Sequence, residues 1–288
     1  MVTIREKIAE KLFLLSAVVS VSLTIIILGF MVFLGLPLIR GGHFFDLLAQ
    51  PWEPASGSYG IYPMIAGTLT IAGLSLVFAF PLSLGCSALI SVLGPAIFSR
   101  FLRKAVQLMT GIPTVVYGFV GVFLLVPRIR EMFQSGSGMC ILSASLMLAV
   151  LISPTMILFF TDSFDHVPKS YRDAADALGA TEVQKFLYVI LPCAFRGVLT
   201  GFILALGRSL GDTLIALMLA GNAIQIPGSV LDSARTLTSH IALVFAADYE
   251  SLEFKSIFAC GIVLYLFTTI LVLGARSLSG SGDGREKR

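Results

Sequence analysis

Charge is what this chain has least of. Asp, Glu, Lys and Arg make up 13% of its 288 residues, where a soluble domain carries about 25%, so an extensive water-facing surface is excluded. The four cysteines, Cys86, Cys140, Cys193 and Cys260, stand far apart with no CxxC pair, and His43, His166 and His240 are as dispersed. Neither a redox pair nor a Cys/His metal cluster is encoded at ligand spacing. No G-x-x-x-x-G-K-[ST] loop and no HExxH helix occurs, which removes a nucleotide P-loop and zinc-hydrolase chemistry. No segment between the long apolar runs exceeds about 35 residues, far too short for an ATPase domain.

What remains is apolar: 56% of the residues are hydrophobic, gathered in runs of about 20 or more, enough to cross a bilayer core as helix. Lipid tolerates no unpaired backbone, so the fold class is all-α integral membrane protein. Six spans are expected at Phe13–Leu38, Met64–Leu93, Ala105–Pro127, Met139–Thr161, Gly197–Gly221 and Phe254–Ala275. The first run is too long for a signal-peptide core and is expected to be retained. Fourteen basic residues then fall on one side of the membrane and five on the other, with Arg208 inside span 5. The positive-inside rule puts both termini in the cytoplasm. The chain divides into an N-terminal segment, first span and external loop (1–60), a five-helix core (61–276) and a Gly/Ser-rich, charged tail (277–288) expected to be disordered.

The most informative cytoplasmic segment covers about 165–192. Asp165 is placed to cap a helix ahead of Pro168; that helix runs through Tyr171, Ala174, Ala175 and Leu178 and stops at Gly179, the residue type favoured after a helix end. Thr181-Glu182-Val183-Gln184 reads as a capping box opening a second helix, which must end or bend at Pro192. The product is a helix–glycine–helix elbow whose small residues let a partner backbone approach closely.

Within this elbow, Asp173-Ala174-Ala175, Gly179, Val189 and Leu191-Pro192 resemble, in type and spacing, the EAA loop of ABC-importer permeases. Three further stretches, Gly111 to Gly118, Gly207 to Thr213 and Arg235 to Ala242, resemble the phosphate-specific permeases, and Tyr59-Gly60-Ile61 with the third points to their C-type subunit. The likeness covers Trp52 to Ala275. It departs at Asp212, where the resemblance leads us to expect Glu. The resemblance implies a type I ABC-importer permease architecture, with Asp173, Ala174, Ala175, Gly179, Leu191 and Pro192 coupling the chain to an ATPase. It implies no cofactor in this chain, ATP and Mg being bound by a partner ATP-binding subunit dimer. It also implies a second, related permease subunit and an extracytoplasmic phosphate-binding protein, in a prokaryotic plasma membrane and without nucleic acid.

Arg208 sits in an apolar run, where a charged side chain costs at least about 2.5–3.5 kcal/mol. With Asp212 four residues on, two roles are open to the pair: neutralising each other and pinning helices, or offering a guanidinium fork to an oxyanion. The expected substrate path is Arg208, Asp212, Pro113 and Thr114, span 3 being interrupted at Gly111 and Pro113. His240 and Arg235 are expected on the external surface, facing a binding protein or solvent. The competing readings are a permease for another oxyanion (molybdate, sulfate), an ion-coupled secondary transporter, for which only Asp212 offers an intramembrane acid, and a phosphate-sensing membrane scaffold.

Overall fold

The computed structural model describes residues 4–40, 48–134, 136–248 and 250–280. Helix α1 is Ile4–Arg40 and α2 is Tyr62–Ala88, prolonged by a π-helical turn Leu89–Leu93. Next come α3 (Ala96–Thr110), α4 (Thr114–Val120), a second π turn, α5 (Val126–Phe133) and α6 (Ile141–Asp165). Helices α7 (Lys169–Ala177) and α8 (Glu182–Lys185) form the elbow, and a third π turn, Phe186–Ile190, carries α8 into α9 (Leu191–Leu210). Then follow α10 (Leu214–Leu219), α11 (Leu237–Val244) and α12 (Leu252–Gly280). The only sheet among the described residues is a two-residue hairpin, β1 (Trp52–Glu53) and β2 (Ser58–Tyr59), with Trp52 opposite Tyr59.

Among the described residues, five helices are long and apolar enough to cross a bilayer: Glu6–Gly35, Tyr62–Leu93, Ile141–Asp165, Glu182–Leu210 and Leu252–Gly274. The sixth expected span is not one rod. Ala96–Thr110 and Thr114–Phe133 meet at 99°, because Gly111 and Pro113 flank the break and Pro113 has no N–H to continue the ladder. Span 5 is also displaced from its expected range: its long helix ends at Leu210, and α10 is a separate short helix. Helix α12 extends through Gly280, so the tail expected to be disordered from Ser277 begins as helix; residues 281–288 lie outside the described residues.

The core forms around α6, which is buried along most of its length against α2 and α9, with Ile152, Met156, Phe160 and Phe164 fully enclosed. In lipid, apolar surface alone does not drive helices together, and small residues that permit close packing do. The α2–α6 seam follows that rule. Ser83 donates across it to the Ser153 carbonyl at 3.4 Å, and Ser145 donates to the Ile71 carbonyl at 3.3 Å. Helix α1 stays outside this core and packs against α12, where Gly35 and Gly261 admit Ile262 and Met31.

The end opposite the elbow is closed by polar connections. The first backbone N–H groups of α6 have no partner in their own helix; Ile141 and Leu142 donate to the carbonyls of Asp232 and Val230, at 3.0 and 2.8 Å. Gly221 and Asn222 take positive φ (81° and 57°) to turn this connection back, and the Ala234 N–H bonds the Ala220 carbonyl at 2.8 Å.

Candidate functional site

Two arrangements stand apart from packing: the elbow and a pair of helix breaks beside Arg208. In the elbow, α7 starts after Pro168 and ends as expected at Gly179, whose φ of 77° is costly for a residue with a Cβ. The Ala180 N–H returns to the Ala175 carbonyl at 3.1 Å. Thr181 then forms the capping box with Gln184, each side chain accepting from the other's backbone N–H. Asp165 does not cap α7. It ends α6, where its carboxylate meets Arg103 of α3 at 2.8 Å. Nor does Pro192 end the helix it enters; the π turn before it reroutes the backbone bonds, so the missing N–H falls in the first turn of α9.

Lys185, unremarkable in sequence, holds the elbow's angle. Its side chain is only 9% exposed, and its ammonium meets Asp176 at 2.6 Å and Glu182 at 3.0 Å, tying α8 back onto α7. The elbow encloses an open groove of about 600 Å³ lined by Tyr171, Ala174, Ala175, Gly179, Gln184 and Tyr188. Leu178 stands at its edge, 89% exposed. Among the residues assigned to coupling, Ala174, Ala175 and Gly179 line this groove. Asp173 is exposed on α7, and Leu191 and Pro192 lie at the root of α9 outside it.

At the second arrangement, Arg208 lies in the last turn of α9, not mid-helix, and Asp212 is beyond the helix end, so the two do not share a helical face. Gly207, Gly211 and β-branched Thr213 weaken the helix here, and Asp212 caps the next one instead: its Oδ2 accepts the Ile215 N–H at 3.0 Å. Among the described residues no close ion pair joins Arg208 to Asp212. The exposed guanidinium donates through Nη1 to the Thr155 hydroxyl of α6 at 3.0 Å, and its field reaches Asp212 and Tyr117. Thr155 gave no sequence signal beyond following Pro154.

The short helices that follow the two breaks, α4 and α10, pack against each other. Gly118 and Gly121 face Met218 and Leu219 so closely that a Cβ on either would lie within 2.5 Å of them. Tyr117 is buried and its hydroxyl donates back across the break to the Met109 carbonyl at 3.0 Å. Pro113 is exposed in the break and Thr114 is half-buried at the start of α4; no hydrogen bond joins Thr114 to Arg208 or Asp212 among the described residues. The arrangement therefore joins Arg208 to Thr155 directly and brings Tyr117 and Asp212 within its field, while no described hydrogen bond brings Thr114 to it.

His240 and Arg235 are not the surface pair expected. His240 is fully buried, its ring 4.4 Å from that of Trp52 and its Nε2 3.3 Å from Ser256 Oγ. Burial, and then the Arg235 guanidinium, lowers its pKa from 6.5 to about 4. Arg235 is half-buried, its own pKa lowered by burial, and its Nε donates to the Asn222 carbonyl at 3.1 Å. His240 thus joins Trp52 of the hairpin to Ser256 of α12, and Arg235 links it to Asn222.

A family model for binding-protein-dependent transport system inner membrane components matches residues 82–279. The chain is 34% identical over 236 residues to the probable ABC transporter permease protein YqgH of Bacillus subtilis, covering 81% of this chain and 76% of that one. It is 30% identical over 256 residues to the phosphate transport system permease protein PstC of Pasteurella multocida, covering 82% and 80%. Among solved structures, the inward-facing MetNI methionine ABC transporter matches with a TM-score of 0.61 at 16% identity, over 77% of this chain and 95% of that one. A bacterial ABC transporter importing alginate matches with a TM-score of 0.60 at 18% identity, over 96% and 98%. At such identities the structures speak for the fold: helices crossing the membrane in the manner of ABC-importer permeases.

Proposed function

Because this chain belongs to the family of binding-protein-dependent transport system inner membrane components, we propose that it is one permease subunit of an ABC importer carrying inorganic phosphate into the cell. The observation that carries the anion reading is Arg208, an exposed guanidinium at the end of a spanning helix, beside two helix breaks. A described residue engages only one of its N–H donors, leaving a planar fork suited to an oxyanion. The names of the relatives from Pasteurella multocida and Haemophilus influenzae, at 30% and 31% identity, support phosphate as that oxyanion.

The chain's residues act as follows. Arg208, oriented by Thr155, meets the anion; Asp212 accepts a hydrogen bond from an anion still carrying a proton and repels one fully ionised, such as sulfate. The breaks at Gly111–Pro113 and Gly211–Thr213 let short helices shift without unravelling the long ones. The elbow groove receives an ATPase subunit on the cytoplasmic side, and ATP and Mg bind there, not in this chain. A related permease completes the path, and an extracytoplasmic protein delivers phosphate.

The test is ATP-dependent uptake of labelled phosphate by the assembled transporter in vesicles, with sulfate and molybdate as competitors. Uptake needing ATP and the binding protein, and resisting both competitors, is the expected result. Preference for another anion would overturn the substrate, and uptake driven by an ion gradient without ATP would overturn the importer.

A further inference from the structure

Helix α3 carries more exposed apolar side chain than a connection between spans requires. Its packed side is narrow: Val106 meets Ile90 and Ile157, with Leu102 beside them, and Arg103 is held by Asp165. Opposite lies a stripe of Ile97, Phe101 and Leu108, spaced i, i+4, i+11 and so stacked on one face; they are 80%, 69% and 76% exposed. Arg100 and Lys104, both exposed, form the adjoining stripe. The helix thus has three sectors, one packed, one apolar and one cationic.

Its depth is also defined. Ile90 lies three residues from the end of the π turn closing α2, and Ile157 lies eight residues from the end of α6. At 1.5 Å per residue, α3 meets both within about 12 Å of their C-terminal ends. It also runs at 99° to the helix pair that follows. A basic amphipathic helix packed this near the ends of its neighbours sits where headgroups meet acyl chains.

We propose that the Arg100/Lys104 stripe of α3 is a binding surface for anionic phospholipid headgroups, with Ile97, Phe101 and Leu108 inserted among the adjoining acyl chains. Charge complementarity favours lipid: lipid phosphates lie at this depth around the whole protein, whereas a covering protein would have to supply its own carboxylates beside an apolar ridge. The proposal is independent of the transported solute.

The test places a tryptophan on the ridge (Phe101→Trp) in the full chain, in nanodiscs of phosphatidylcholine doped with brominated phosphatidylcholine or brominated phosphatidylglycerol. The unmodified chain supplies the baseline from Trp52, which is buried. Stronger quenching by the brominated phosphatidylglycerol is expected, the preference falling roughly fivefold for each charge removed in Arg100→Gln and Lys104→Gln and returning in Lys104→Arg. Equal quenching by the two lipids overturns the headgroup site. No quenching by either means that water or another protein covers the ridge, and overturns the proposal altogether.

Discussion

Two identical substitutions six residues apart on α2 should move stability in opposite directions. A Cβ built on Gly67 would lie 2.4 Å from the Arg235 carbonyl oxygen, while one on Gly73 meets nothing within 4 Å. Replacing glycine by alanine in a helix gains about 0.8–1 kcal/mol, and Gly73→Ala should keep that gain. At Gly67 the neighbour is backbone, and it cannot retreat freely. The Ala234 N–H is bonded to Ala220, and the Leu237 N–H is bonded to the Thr68 hydroxyl of α2 itself at 2.9 Å. Overpacking of this kind costs typically about 1–3 kcal/mol, so the two variants should differ by roughly that amount. At about 2–4 °C per kcal/mol for a chain of this size, Gly67→Ala should melt several degrees below Gly73→Ala. The assay is thermal unfolding of the purified chain in one detergent, followed by loss of the monodisperse peak. Equal midpoints would refute the placement of the Arg235 connection against α2.

Arg208→Gln should lower phosphate uptake by about tenfold to a hundredfold, the worth of a hydrogen bond to a charged group, while basal ATP hydrolysis by the assembled complex persists; Arg208→Lys should recover part of it. Lys185→Met should change chain stability little, because the carboxylates it releases are half exposed and rehydrate. It should still reduce ATPase copurification, since the angle between α7 and α8 is no longer held. His240 stays neutral in the folded chain, so its contribution is complete above pH 6.5 and is lost as pH falls from 6.5 toward 4. With about 1.4 kcal/mol for each pH unit between those values, the loss is on the order of 3 kcal/mol. His240→Gln should flatten that part of the pH–stability curve, and a curve parallel to the unsubstituted chain would count against the buried neutral ring.

The parts legible in the sequence are those governed by local rules. Gly179 and the Thr181–Gln184 capping box are short-range backbone chemistry, and the structure has both as read. The runs that became α1, α2, α6 and α12 are continuous enough for length alone to identify them. Hydropathy fails where a break falls inside apolar sequence. Residues 211–219 are as apolar as the helix before them, so nothing in a window average separates α10 from α9. Helix α3 was hidden for the converse reason: Arg100, Arg103 and Lys104 interrupt the apolar sequence, so the expected span began only at Ala105 although the helix starts at Ala96. His240 and Lys185 depend on partners that pattern reading does not supply. The burial of His240 is settled by Trp52, far away in sequence, and that of Lys185 by Asp176 across the Gly179 turn.

The pairing of α1 with α12 joins the first described helix to the last, and it sets a schedule for biosynthesis. Arg40 ends α1 and Leu252 begins α12, so about 210 residues must leave the ribosome before the partner exists. At about 5–20 residues per second, that is roughly 10–40 s. Throughout that time α1 resides in the bilayer as a helix stable on its own backbone bonds yet without its mate. It is free to diffuse, to be held by an insertion factor, or to meet another chain.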